Sequence, residues 1–403
     1  MSTTEYSTIE GNGPSYLGWL GLLGALIVLG LLSVWHMEHA GHYVTGMNNG
    51  VVWGIPHVFA VFLIVAASGV LNVASIATVF GKRIYEPLGR LSALLAVSLL
   101  LGGLVILLLD LGRPDRLIVA LTHYNFKSIF AWNIIFYSGF FLIVGVYLWT
   151  MMDHTVYGMK KAAGFLAFIW RLMLTTCTGA LFGVLVARTA YDAVLMAPMF
   201  IIMSFAFGLA CFLLVLMAAC RWGQRELGDA ILNRMRTLLG IFVAGVLYFV
   251  VVYHLGNLYN AEHQGIERFI LLEGGIYTTL FWGGQIFLGS LVPLALLFAP
   301  GLRSERVSLG LSSLLVIIGG LCQMYVIIIA GQAYPLDIFP GYDVIESGFF
   351  DGVINTYTPS IYELMLGLGG FALALLIVTF AIRVMAMLPR SMADSEIDDT
   401  SAY

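Results

Sequence analysis

The chain has 403 residues, 60% of them hydrophobic and only 10% charged, with a mean hydropathy of +0.94 and a formal net charge of −4. Soluble domains carry roughly 25% charged residues, so this composition excludes a water-soluble enzyme and indicates an all-α polytopic membrane protein. The balance gives no basis for nucleic-acid binding; membrane lipids are the expected surroundings.

About 20 apolar residues cross a bilayer core, and ten stretches meet that length: 16–35, 56–80, 90–111, 129–151, 163–187, 194–220, 238–257, 275–299, 308–330 and 360–386. The first fifteen residues hold Glu5 and Glu10 but no Lys or Arg, so they lack the basic start of a cleaved signal peptide and the first helix is expected to stay. Pro87-Leu88-Gly89 and Ala299-Pro300-Gly301 punctuate two turns. The basic stretch from Arg221 to Arg236 suggests a short interfacial helix.

On the side of the termini the sequence places Lys82, Arg83, Arg90, Lys160, Lys161, Arg171, Arg221, Arg225, Arg234, Arg236, Arg303, Arg306, Arg383 and Arg390. Across the membrane stand Arg113, Arg116, Lys127, Arg188 and Arg268. The positive-inside rule then makes both termini cytoplasmic in a multi-pass protein of the bacterial inner membrane, with the other face periplasmic in a Gram-negative host.

Cys177, Cys211, Cys220 and Cys322 are scattered through apolar spans without CxxC or Cys-His spacing, which reads as core packing rather than an iron–sulfur or zinc site. His36, His39 and His42 lie three apart in the loop 36–55 and lack a carboxylate-rich or cysteine-containing context, so no metal site is expected. The acidic loop 331–359, with Tyr334, Asp337, Asp343, Glu346 and Asp351, reads as a lid or docking surface.

The densest charge lies at the end of the third span, in Asp110-Leu111-Gly112-Arg113-Pro114-Asp115-Arg116, followed by Asn125-Phe126-Lys127-Ser128 and Trp132-Asn133. Charges next to hydrocarbon pair, face a cavity or serve a ligand. His57 opens the second helix, Asp110 closes the third and Asn133 lies in the opening turns of the fourth, so the three converge at one depth. An imidazole, a carboxylate and an amide at the mouth of an apolar bundle suit a quinone, whose ring oxygens exchange protons as electrons move. Burial should raise the pKa of Asp110 unless Arg113, three residues on, offsets it. His57 reads as a proton shuttle, and Pro114 as the stop that ends the helix.

The Asp-x-Gly-Arg-Pro string followed by Asn-Phe-x-Ser and Trp-Asn resembles the signature of the NrfD/polysulfide reductase family of quinone-interacting membrane subunits. The ten-span layout and the segment Gly41 to Arg116 resemble its branch in the sulfite-reduction-associated Dsr membrane complex. The resemblance implies a tail over 1–15, a first helix and outer loop over 16–50, a four-helix bundle over 51–190 holding the chemistry, and a second over 191–333. An outer loop and last helix (334–386) and a tail (387–403) complete the layout.

It further implies a non-covalently held menaquinone or ubiquinone, contacted by His57, Ser68, Asp110, Arg113, Asn133 and Thr178, with Asp110 and His57 catalytic. It also implies a periplasmic ferredoxin-like iron–sulfur partner docking near Asp115, Arg116, His123 and Lys127, beside cytochrome and catalytic subunits. The sequence departs from some members at Asn133, where they place a carboxylate, near Ser68, where they place a histidine, and at Cys177-Thr178-Gly179, where they have Tyr-Thr-Gly.

In the second bundle Arg188 with Asp192, and His254 and Glu273, read as edge salt bridges. Two alternatives differ in class. A secondary transporter needs ionisable residues at the midplane, which the sequence reads as apolar; a haem b carrier needs paired histidines, for which only His57 and His254 come close.

Overall fold

The computed structural model describes residues 5–299, 301, 306–335 and 353–394. Arg303 and the acidic residues Asp337, Asp343, Glu346 and Asp351 lie outside the described residues. Ten helices among the described residues are long and apolar enough to cross a membrane: α1 Pro14–Ala40, α2 Ile55–Thr78, α3 Arg83–Leu109, α4 Ile129–Met152, α5 Tyr157–Gly183, α6 Met196–Trp222, α7 Asp229–Tyr259, α8 Ile276–Phe298, α9 Arg306–Ala333 and α10 Ile361–Val384. Each matches an expected stretch. The largest departure is α7, whose 31 residues span about 46 Å against a core of about 30 Å. Its surplus turns carry Arg234 and Arg236, so the expected interfacial helix is instead the start of α7.

Helices α2, α3, α4 and α5 pack in one ring and α6, α7, α8 and α9 in another. The rings join chiefly where α2 crosses α6, and α1 packs on α10, which covers α2 and α3. At the crossing Gly208 faces the backbone of Gly69 and Val70, so a Cβ there would overlap main chain rather than a movable side chain. Small residues give membrane helices this close approach, and with it their dispersion energy. In α8 the twelve residues Leu280–Leu291 adopt the wide π-helical winding, and Gly289 packs on Gly319 of α9.

Both faces are clasped by polar contacts. At the termini, β1 (Tyr6–Ser7) pairs antiparallel with β2 (Leu388–Pro389). Arg225 donates to the carbonyls of Ser7, Thr8, Leu388 and Pro389. Arg90 lies 3.7 Å over the Tyr6 ring and donates to the carbonyls of Met151 and Ala386. Two cations expected on the side of the termini thus tie the chain ends together.

At the opposite face the fully buried Glu363 accepts from the amides of Gly46 and Ser360 and from the hydroxyl of Tyr357. That hydroxyl in turn accepts from the Ile55 amide at 2.7 Å, fixing the start of α2. Arg188 donates to the carbonyls of Gly50 and Gln332 rather than pairing with Asp192 as expected.

The expectation of an apolar midplane is corrected by Arg171. It lies in the middle of α5 with a fully buried side chain, so it does not belong with the loop cations. Its guanidinium donates to Asn72 Oδ1 at 2.7 Å and to the Ser68 carbonyl at 3.5 Å, and lies over the rings of Phe168 and Phe205. Hydrogen bonds and aromatic faces, in place of a carboxylate, offset part of the cost of this buried charge, while its Nε has no hydrogen-bond partner among the described residues.

Candidate functional site

Three helix ends meet inside the first ring at the face opposite the termini. Gly54 and Pro56 set the start of α2, and the next residue is His57. The α3 helix runs out at Leu109, where Asp110 caps it. His57 Nδ1 lies 2.9 Å from Asp110 Oδ2, and the carboxylate side chain is 1% exposed against 21% for the imidazole.

The contact lacks the alignment of a hydrogen bond. Among the described residues both Asp110 oxygens and His57 Nδ1 therefore keep hydrogen-bonding capacity for another group. Buried polar atoms left in this state call for an explanation, such as a catalytic role or a water or ion position.

Beside His57 opens a cavity of about 540 Å³, lined by residues from α2, α3, α4 and α5, by the short helix Leu117–Thr122 and by Ile328 of α9; Asp110 does not line it. Leucine, isoleucine and valine make most of its wall, and His57, Asn133, Tyr137, Ser138 and Thr178 supply the polar groups. Asn133 Nδ2 donates to the carbonyl of Ile129, and its Oδ1 accepts from Thr178 at 3.3 Å, so the amide is held in one orientation. An apolar chamber of this size with a few fixed polar groups is the ordinary form of a small-molecule site.

Trp53 closes the top. Its ring stacks on His57 at 5.9 Å and meets Phe130 and Phe182 edge-on. Gln332, at the end of α9, accepts from the amides of Val52 and Trp53 and donates to the Trp53 carbonyl. The second ring thus positions the imidazole of the first.

The structure therefore brings together His57, Asp110, Asn133 and Thr178. It sets Ser68 apart: that side chain is eleven residues beyond His57 on α2, about 16 Å deeper, where it bonds Thr175 and the Arg171 carbonyl. Arg113 also stands away, because the helix stops before it and its guanidinium pairs with Asp115 at 3.1 Å in solvent. That hydrogen bond holds the Asp115 carboxyl below the usual carboxylate range. The side chain beside Asp110 is that of His57, not Arg113.

Asp115, Arg116, His123 and Lys127 are exposed on this face beside exposed Ile118, Val119 and Phe126. His36, His39 and His42 do not converge: they face Tyr362, the Trp35 carbonyl and Glu38 respectively.

Sequence reasoning missed Tyr137 in the cavity wall, and Gln332, Tyr357 and Glu363 above it. It also missed Glu267 in the second ring. That fully buried carboxylate meets His254 at 2.5 Å and Asn257 at 2.8 Å, while Glu273 pairs with Arg268 at the surface. His57 and His254 line separate cavities, so they do not form the facing pair that haem ligation requires.

The fold and site define a class: a membrane protein with ten apolar spanning helices among the described residues and an apolar cavity lined by His57, beside the buried Asp110 carboxylate. A profile of the polysulphide reductase, NrfD, family matches residues 43–335, and the chain belongs to that family. It is 26% identical to the Hdr-like menaquinol oxidoreductase integral membrane subunit of Archaeoglobus fulgidus, over 98% of this chain and 99% of the relative. It is 22% identical to a selenate reductase subunit of Mesobacillus selenatarsenatis, over 90% and 92%. With a polysulfide reductase polypeptide of Wolinella succinogenes it shares 24% identity over 71% of this chain and 96% of the relative.

Proposed function

We propose that this chain is the quinone-binding membrane subunit of a respiratory or sulfur-metabolism oxidoreductase complex, exchanging electrons between menaquinone or ubiquinone and a periplasmic iron–sulfur partner. The observation that carries it is His57, which lines the 540 Å³ apolar cavity and stands 2.9 Å from the buried Asp110 carboxylate. A bound quinone supplies the two-electron, two-proton chemistry. His57 and Asp110 take or return the proton of a ring oxygen, Asn133 and Thr178 orient the ring, and the leucine-rich wall excludes water. His57, the more exposed of the pair, passes the proton toward the outer face.

The chain brings no cysteine motif for a cluster, so its electrons come from or go to a ferredoxin-like subunit with cytochrome and catalytic subunits beside it. The exposed surface around Asp115, Arg116, His123 and Lys127, with apolar Ile118 and Phe126, offers that subunit a dock close to the cavity. The lopsided cations support a topology with both termini in the cytoplasm and this face in the periplasm of a bacterial inner membrane. Assignment to the Dsr-type branch is supported by the ten-span layout. The polysulfide reductase relative is matched almost whole by only part of this chain.

The test is fluorescence quenching of a quinol-analogue inhibitor titrated with the purified chain, wild type against Asp110→Asn. Saturable binding weakened by the substitution supports the reading. Absence of binding by the wild-type chain overturns it in favour of a transporter or a purely structural subunit.

A further inference from the structure

A second large apolar cavity lies at the other end of the molecule, where α1, α3, α6, α9 and α10 meet. Its volume is about 260 Å³, and its wall includes Trp19, Leu99, Ala218, Trp222, Ile317 and Phe371. The polar groups at its edge are already engaged, since Trp19 Nε1 bonds Thr379 Oγ1 at 3.3 Å and that hydroxyl donates to the Leu375 carbonyl. Water in such a space would lack the two to four partners it needs. Hydrocarbon suits it.

The length of the slot says which hydrocarbon. Its lining runs along α10 from Phe371 to Ile382 and along α6 from Cys211 to Trp222, eleven residues in each case or about 16 Å. Half of a core about 30 Å thick is one leaflet, and the slot lies in the leaflet that borders the termini. Leu214, Val215 and Ala218 are only half-buried, which leaves a side entrance from the bilayer.

Trp19 and Trp222 stand at the interfacial end, as aromatic belts do. Beyond them are the exposed Arg221 and Arg383. Arg383 makes one bond, to Asn12, and Arg221 has no ion pair among the described residues. Of the acids in the adjoining segment Glu5 is taken by Arg390 at 2.8 Å, leaving the exposed Glu10.

We propose that this slot binds one acyl chain of an anionic phospholipid from the leaflet on the side of the termini, with the lipid phosphate held by Arg221 and Arg383. A quinone tail fits less well. The slot offers no acid–base pair for a redox headgroup, and the His57–Asp110 site lies at the opposite face.

The full chain, purified in mild detergent, is incubated with dioleoyl phosphatidylglycerol, dioleoyl phosphatidylcholine or menaquinone and examined by native mass spectrometry. One phosphatidylglycerol should be retained about tenfold more strongly than phosphatidylcholine, as basic side chains near an anionic headgroup predict. Ala218→Phe and Val215→Phe, which fill the slot from one wall, should each lose that lipid while binding of the quinol analogue is unchanged. Arg221→Gln with Arg383→Gln, surface changes that spare the packing, should bring the two phospholipids to parity. The proposal is overturned if both slot-filling variants retain phosphatidylglycerol like the wild type, if wild type holds the two phospholipids equally, or if menaquinone is what Ala218→Phe displaces.

Discussion

If His57 and Asp110 act as one acid–base unit, removing either should cost nearly as much as removing both. The pair is 2.9 Å apart with the carboxylate 1% exposed, so each group is the other's immediate partner in a site largely closed to water. Asp110→Asn keeps the shape and removes the proton acceptor; His57→Gln keeps a polar side chain and removes the shuttle. Losing a positioned general acid or base costs about 10²–10⁴-fold. Each single variant should therefore slow quinol-linked electron transfer by about 10²–10³-fold, or about 2.7–4 kcal/mol of barrier. The double variant should lose no more than the worse single one, since groups that work as a unit are non-additive. The assay is quinol-linked turnover in native membranes carrying the assembled complex, with inhibitor binding measured alongside. Losses that multiply in the double variant, or full turnover in Asp110→Asn, would refute the unit and leave Asp110 as a helix-end staple.

Three further outcomes follow from the packing. Gly208→Val should place methyl groups against the Gly69 and Val70 backbone and cost about 1–3 kcal/mol through overpacking, seen as a lowered melting midpoint in detergent. Glu363→Gln removes a charged acceptor from three donors at the clasp on the face opposite the termini; with charge-assisted bonds worth about 1.5–3 kcal/mol, its midpoint should fall and the loop after α1 should become protease-sensitive. Burial pushes the Tyr6 hydroxyl up to about 12 against the opposing pull of Arg90. The contribution of β1 is therefore fully present below pH 10, the unfolded value, and lost as pH rises through about 12. The wild-type minus Tyr6→Phe absorbance titration should accordingly show a phenolate step near 12, and a step near 10 would contradict the clasp.

The spans were legible because hydrophobic length is dictated by bilayer thickness and every backbone polar group must be satisfied within its own helix. Helix surplus is less visible: the first turns of α7 look like a loop because Arg234 and Arg236 read as loop charges, although only Arg234 is exposed and Arg236 is buried. The convergence of His57, Asp110 and Asn133 could be read from depth alone, each being near a helix end at the same face. Depth also shows why Ser68 does not join them. Arg171 escaped because a single cation in an apolar run resembles a loop charge until its neighbours Asn72, Phe168 and Phe205 are known. Glu267 escaped because it follows α7 in a short connection, and its meeting with His254 depends on the chain doubling back there. Gln332, Tyr357 and Glu363 act from far along the sequence, where no local pattern announces them.

The buried Arg171 removes one argument against a transporter, so the distinction rests on mechanics. Alternating access requires one repeat to rock against the other around a midplane site. Here α2 and α6 cross with Gly69 and Gly208 backbone to backbone, a contact that tolerates little sliding. Arg188 bridges Gly50 to Gln332 at one face, and Arg225 ties both termini together at the other. Gln332 of the second ring also holds the Trp53 backbone, and Trp53 stacks on His57. Rocking the rings would displace His57 from the cavity wall and from Asp110. A rigid scaffold suits the proposed electron exchange instead, in which a docked cluster and a bound quinone would react efficiently only at a fixed separation.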